Sequence, residues 1–240
     1  MDTSSRRSPV PPRTIGAAIG VIGISNIVTN LRLPAALYVP WNLSMATGLV
    51  VLARSAGCDP TDLGLDRRHL RGSLRAGGLG ASLVVAGCGV LLITGVAPDM
   101  FRDDRATSPT TRGALWQLFV RIPLGTVVAE ETVFRGVLPA LFARPARPPW
   151  FPGTLSSFLF GLWHLLPSLE MAASNVAMSR FAQRRRPGSV AALAFGTTTL
   201  AGGVLHLLRN RTGHLAAPML VHLAANAMGF LSARLTGSPA

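Results

Sequence analysis

The stretch Gly125 to Leu138, Gly-Thr-Val-Val-Ala-Glu-Glu-Thr-Val-Phe-Arg-Gly-Val-Leu, sets two adjacent carboxylates and a guanidinium inside a long apolar run. Ile122, Val127, Val128, Val133, Val137 and Leu138 flank them, and little else nearby is polar. An ionised group near a bilayer centre costs about 2.5–3.5 kcal/mol on insertion scales, so such a run can span only if its charges find partners. Positions four apart share a helix face, and Glu131 and Arg135 have that spacing. The ion pair offsets part of the cost, and losing either member strands the other. Glu130 lies about 100° around the helix from Glu131 and is less naturally consumed by the pair. It is the carboxylate left for chemistry.

The rest of the chain reads as membrane-embedded. Of 240 residues, 49% are hydrophobic and only 14% are charged, and the mean hydropathy is positive. This predicts an all-α fold: a polytopic transmembrane bundle of about seven helices in a single domain over residues 1–240, behind a polar tail at residues 1–13. A net charge of +13 raises nucleic acid as a partner. Every basic residue is Arg, however, and the arginines fall mostly between apolar segments, as headgroup-facing loops do. The expected partners are the lipid bilayer and a membrane-associated peptide or protein, with no nucleic acid.

Apolar segments are expected over Ile15–Leu31, Ala36–Ala53, Gly77–Ala97, Gly113–Phe142, Gly153–Leu169, Val190–Leu208 and His214–Leu231. The first reads as a retained helix, being long for a signal sequence and lacking a small-x-small cleavage site. Ser55–Ala76, with Asp59, Asp62, Asp66 and four arginines after them, is an aqueous loop with room for a short surface helix. Arg144–Pro149 is a stiff basic loop, and Glu170–Ser189 is polar and basic. The long fourth helix exceeds a bilayer crossing, which predicts tilt or a kink at Pro123. Seven crossings from a cytoplasmic N-terminus would put Arg184–Arg186 outside, against the positive-inside tendency. Either the fifth segment is re-entrant, the chain from Glu170 to Gln183 returns through the membrane, or the crossing count differs.

Polar side chains on three apolar segments supply candidate chemistry: Glu130, His164, and His222 with Asn226, the last two sharing a helix face at a spacing of four. A carboxylate, two imidazoles and an amide form the inventory of a hydrolytic site. Glu130 would take a proton from water, His164 would orient it, and His222 with Asn226 would donate hydrogen bonds to an oxyanion. The bland reading of each is an interhelical hydrogen bond. His206 reads as packing, and Cys58 and Cys88 form neither a disulfide framework nor a nucleophile with a paired base.

Three motifs together resemble the CAAX-processing and bacteriocin-processing (CPBP, or Abi) family of intramembrane endopeptidases. They are Glu130-Glu131-Thr132-Val133-Phe134-Arg135, Phe160-Gly161-Leu162-Trp163-His164 and His222-Leu223-Ala224-Ala225-Asn226, with Arg211 to Leu220 leading into the last. The resemblance covers about residues 113–234 and implies a catalytic core there. It implies proteolysis at or within the membrane, with Glu130, His164, His222 and Asn226 catalytic and Glu131, Arg135 and Phe160 in support.

No cofactor is expected. Zinc on Glu130, His164 and His222 is the alternative that the resemblance leaves open, although no H-E-x-x-H pair exists and Arg135 is a poor neighbour for a dication. The rival function is a non-catalytic immunity or scaffold protein that uses the polar cluster for packing. The all-Arg usage with abundant Ala, Gly, Leu and Pro suggests a GC-rich bacterium and hence its plasma membrane.

Overall fold

Every described residue outside turns and short links is helical in the computed structural model, which describes residues 10–96, 98–107, 110–143, 147–186 and 188–237. The first nine residues of the polar tail and residues 144–146 of the basic loop lie outside the described residues. The principal helices are α1 (Pro12–Leu31), α2 (Tyr38–Ser55), α3 (Leu70–Thr94), α4 (residues 111–142), α5 (Phe151–Trp163), α6 (Leu165–Ser174), α7 (Val176–Arg184), α8 (Ser189–Thr212) and α9 (Ala216–Thr236). Five spans, those of α1, α2, α3, α8 and α9, are long and apolar enough to cross a membrane unaided. Their outward faces carry apolar side chains such as Leu83 at 75%, Ile93 at 88% and Leu200 at 73% exposure, a pattern that needs lipid rather than water. The protein is an integral membrane helical bundle.

The bundle is built around α4. Its second half buries Val133, Phe134, Val137, Leu138, Leu141 and Phe142 against Leu49 and Ala53 of α2, Ala18 and Ile22 of α1, and Phe160 and Trp163 of α5. Residues Gln117–Val128 and Thr132–Val137 are wound in the wider π-helical pattern. Pro123 lies in the first of these runs, where its missing N–H cannot serve an α-helical ladder. The anticipated irregularity is therefore a change of winding.

Two ends of the bundle can be told apart by their contacts. At one, the Leu215 N–H bonds the Gly64 carbonyl, Arg209 reaches the carbonyls of Thr61 and Asp62, and Ser73 ties the starts of α3 and α9 by accepting from the Ala217 N–H at 2.8 Å. Gly77 permits this closeness, because a Cβ there would meet the Ala217 Cα at 2.7 Å. At the other end, residues 98–107 meet the α6–α7 link and the end of α9. Val176 N–H bonds the Arg102 carbonyl, Asn175 the Met100 carbonyl, and Thr236 the Phe101 carbonyl.

These contacts change the expected fifth crossing. The helix anticipated over Gly153–Leu169 stops at Trp163, and 13 residues span only about 20 Å, short of a hydrocarbon core. α5 and α6 in series carry the chain from the Gly64 end to the Met100 end, so they make one passage broken at His164. The segment Glu170–Ser189, expected as a polar loop, is helical over most of its length, and Arg184–Arg186 lie at the opposite end from Arg67, Arg68 and Arg71.

Candidate active site

The polar centre lies where the buried half of α4 meets α5 and α9. Glu131 is 0% and Arg135 1% exposed, and the guanidinium Nη1 stands 2.9 Å from Glu131 Oε1. It lies there without hydrogen-bond alignment, so the contact is chiefly one of charge. The guanidinium also sits 4.0 Å above the Phe160 ring, a cation–π contact that strengthens where water is excluded.

Glu131 Oε1 lies 2.7 Å from His222 Nδ1 as well. An ionised carboxylate only accepts, so Nδ1 donates, and in the neutral ring Nε2 then holds a lone pair. That Nε2 lies 3.9 Å from Glu130 Oε2. Glu130, 6% exposed, accepts the Trp163 indole N–H on Oε1 at 3.0 Å, while its Oε2 is buried with no hydrogen-bond partner among the described residues. Two acceptors thus face each other across a short gap. The sequence reading expected a donor at His222; in this tautomer the ring presents an acceptor, and donation from Nε2 requires the imidazolium.

Trp163 owes its position to the break in the α5–α6 passage. The Trp163 carbonyl would normally accept from the N–H four residues on, which belongs to Pro167 and does not exist. The Asn26 side-chain amide of α1 supplies the donor instead, at 2.8 Å in a buried site. Non-helical backbone at membrane depth is tolerated where protein groups satisfy it in this way. Gly161, one turn earlier, lets α5 press on α8, since a Cβ there would overlap Thr199 Oγ1 and lie 2.9 Å from the Phe195 carbonyl.

His164 occupies the break itself. Its Nδ1 donates to the Phe160 carbonyl at 2.8 Å, which leaves Nε2 as an acceptor in the neutral ring. Its ring packs on Phe160 with centroids 4.4 Å apart, and Phe160 also contacts the His222 ring edge-on at 6.1 Å. Phe160 therefore stands among His164, His222 and Arg135. His164 makes no direct hydrogen bond to Glu130 among the described residues. Asn226, one turn beyond His222 on α9, is half-buried and has no hydrogen bond among them. His206 lies away on α8, against Gly153 and bonded to Asn210. Cys58 and Cys88 form no disulfide.

Trp163 and Asn26 were missed by the sequence reading. Pro167 was the available signal: a proline four residues after Trp163 orphans a carbonyl inside an apolar segment, and some polar side chain must answer it.

A catalytic zinc needs three protein ligands. Here two donor atoms converge, Glu130 Oε2 and His222 Nε2, while the Glu131 oxygen nearest them is already shared by His222 and Arg135. No group of three or more His, Cys, Asp or Glu side chains among the described residues is arranged to hold a metal ion. The chemistry below is derived from side chains alone.

No curated protein and no solved structure matches the chain significantly. A family profile does, across the segment that runs from the first turn of α4 past His222 and Asn226. Residues 112–228 match the model of the Rce1-like family, the type II CAAX prenyl endopeptidases.

Proposed function

We propose that the protein is an intramembrane endopeptidase of a bacterial plasma membrane, hydrolysing a peptide bond of a membrane-associated protein by water activated at Glu130. The observation that carries this reading is the buried Glu130 Oε2, without a hydrogen-bond partner among the described residues and 3.9 Å from His222 Nε2. The match of residues 112–228 to an endopeptidase family model supports it independently.

A single water can satisfy both acceptors. With hydrogen bonds of about 2.8 Å to each, it subtends an angle of about 90°, close enough to its own H–O–H angle for both hydrogens to be donated at once. Its lone pairs then face away from the two acceptors, toward an incoming carbonyl carbon. As the C–O bond forms, Glu130 takes one proton and the carbonyl oxygen becomes an oxyanion, for which the Asn226 amide is the donor. As the C–N bond breaks, Glu130 returns that proton to the leaving nitrogen. The second water proton is lost from the new carboxyl group, with His222 Nε2 as its acceptor.

Supporting groups hold this arrangement. Trp163 fixes Oε1 so that Oε2 is the reacting oxygen, and Glu131 fixes the His222 tautomer. Arg135 balances the Glu131 charge, and Phe160 separates the cation from the histidines. We assign His164, through Nε2, to orienting the water or the scissile amide once substrate is seated.

Glu130→Gln is the direct test, in purified protein given an S-farnesylated C-terminal peptide with cleavage read by mass spectrometry. Turnover should be abolished while the thermal midpoint stays within about 2 °C of the parent. A variant that still cuts would overturn the assignment.

A further inference from the structure

His214 is a titratable group outside the hydrolytic site, in the short link between α8 and α9 at the Gly64 end of the bundle. Its Nδ1 accepts the Ala216 N–H at 2.9 Å, the two-residue reach by which an asparagine side chain closes a turn. The N–H groups that open a helix have no partner within it and must find one outside. At the start of α9, Leu215 finds the Gly64 carbonyl, Ala217 the Ser73 hydroxyl and Ala216 the His214 imidazole. Of these three acceptors, the imidazole is the one that a proton converts into a donor near neutral pH.

The link is held from three sides. The Ser73 hydroxyl of α3 donates to the His214 carbonyl at 3.0 Å. Gly213 takes a left-handed φ of +70° and lies against the His69 ring, where a Cβ would meet Cγ at 2.9 Å. Arg209, in the last turn of α8, reaches the carbonyls of Thr61 and Asp62. One turn of chain thus joins the segment before α3, the end of α8 and the start of α9.

The charges around this imidazole oppose a second proton on it. Asp66 and His69 act from the segment before α3, and Arg209 acts from α8, whose last turn also holds Arg211. Arg68 hydrogen-bonds both Asp66 oxygens, and His69 Nδ1 lies 3.9 Å from one of them, so that carboxylate is largely spoken for. α3 meets the link through the uncharged Ser73 and Gly77, and α9 has no acid in its first turn. The ring also sits at the positive end of the α9 dipole, where a cation is disfavoured. Burial, with His69 and Arg209 adding to it, holds His214 below its ordinary 6.5 against the opposing pull of Asp66. A base held low when folded contributes stability that is complete above its ordinary pKa and is lost as pH falls through the folded value.

We propose that the His214 link is an acid-release switch: the neutral imidazole pins the start of α9 to the segment before α3, and protonation of Nδ1 frees it. The protonated ring turns N–H toward N–H at Ala216 and adds a cation beside Arg209. Because α9 carries His222 and Asn226, release draws both away from Glu130. That consequence rests on the endopeptidase reading, whereas the release itself does not.

Amide hydrogen exchange of the protein in nanodiscs of phosphatidylcholine reads the release at Leu215, Ala216 and Ala217, as protection relative to the unstructured rate at the same pH. Between pH 7.5 and 5.5 protection should fall by about three- to tenfold. His214→Asn supplies an acceptor of the same reach that does not titrate, and its protection should change by less than about twofold. His214→Ala should be poorly protected at both values. Equal protection of the parent at both values, or the same acid loss in His214→Asn, would overturn the proposal. His214→Asn unprotected at both values would overturn it too, by making the ring's packing rather than its lone pair the fastening. On the S-farnesylated peptide, His214→Asn should keep more of its turnover at pH 5.5 than the parent does. If exchange behaves as stated while neither protein cuts the peptide at either pH, the switch stands and the hydrolytic assignment fails.

Discussion

Replacing Arg135 by methionine should damage the fold rather than the chemistry. Methionine is about as long as the aliphatic part of arginine and can rest on the Phe160 ring, so the lost volume is small. What remains is Glu131, 0% exposed, with its charge uncompensated and only His222 Nδ1 still bonded to it. Breaking a buried pair by removing one partner costs about 3–5 kcal/mol. For a chain of this size each kcal/mol moves the thermal midpoint by about 2–4 °C, so the drop should be about 6–20 °C. Removing both charges should cost much less, because a neutral pair of similar volume is often no worse than the ion pair. In Glu131→Gln with Arg135→Met, the glutamine carbonyl can still accept from His222 Nδ1. The assay is thermal unfolding in detergent followed by tryptophan fluorescence, with the parent, both single variants and the double variant side by side. An Arg135→Met midpoint within 2 °C of the parent, or a double variant as unstable as that single variant, would refute the reasoning.

Three further outcomes follow from the structure. Trp163→Phe keeps an aromatic ring but removes the N–H held by Glu130 Oε1, so kcat should fall by about tenfold or more with KM little changed, as expected when an interaction serving the transition state is lost; an unchanged kcat would remove Trp163 from the site. Asn26→Leu leaves the Trp163 carbonyl buried without a donor and should cost about 1–3 kcal/mol, read as a lower thermal midpoint, whereas Asn30→Leu, whose side chain bonds only its own helix, should cost less. Burial pushes the Asp103 carboxyl up, but its hydrogen bonds from Arg105 outweigh this and hold it below its ordinary 3.8. A depressed folded value stabilises above the ordinary pKa and loses that contribution as pH falls through the folded one. The contact of residues 98–107 with the α6–α7 link should therefore loosen below pH 3.8, seen as a broadened spin-label distance between positions Thr110 and Gln183 that is sharp at pH 5. Equal distributions at both pH values would count against a role for Asp103 in that contact.

Much of the site was legible because its chemistry is local in sequence. The Glu131–Arg135 spacing needs only helical periodicity to pair, and charges within an apolar run demand partners wherever the helix sits. The three motifs named Glu130, Glu131, Arg135, Phe160 and His222, which the structure brings into contact at α4. Periodicity could not say which atom faces which. His222 looked like a donor from its residue type, and only its contact with Glu131 selects the tautomer that makes Nε2 an acceptor. Nor could hydropathy alone find the break at His164, since Leu165 and Leu166 continue the apolar run and Pro167 was passed over.

By itself the sequence determined that the chain must live in a bilayer as helices, that one of those helices carries charge in need of compensation, and which side chains were available for hydrolysis. These follow from composition, from the 3.6-residue period and from the cost of bare charge in lipid. Tertiary structure alone decided that α4 is the central helix, that the fifth passage is broken, and that Trp163 and Asn26, 137 positions apart, are joined by one hydrogen bond. It also set Glu130 Oε2 3.9 Å from His222 Nε2. The physical reason is that a hydrogen bond is a matter of direction and distance between groups on different helices, and no period within one helix contains that information.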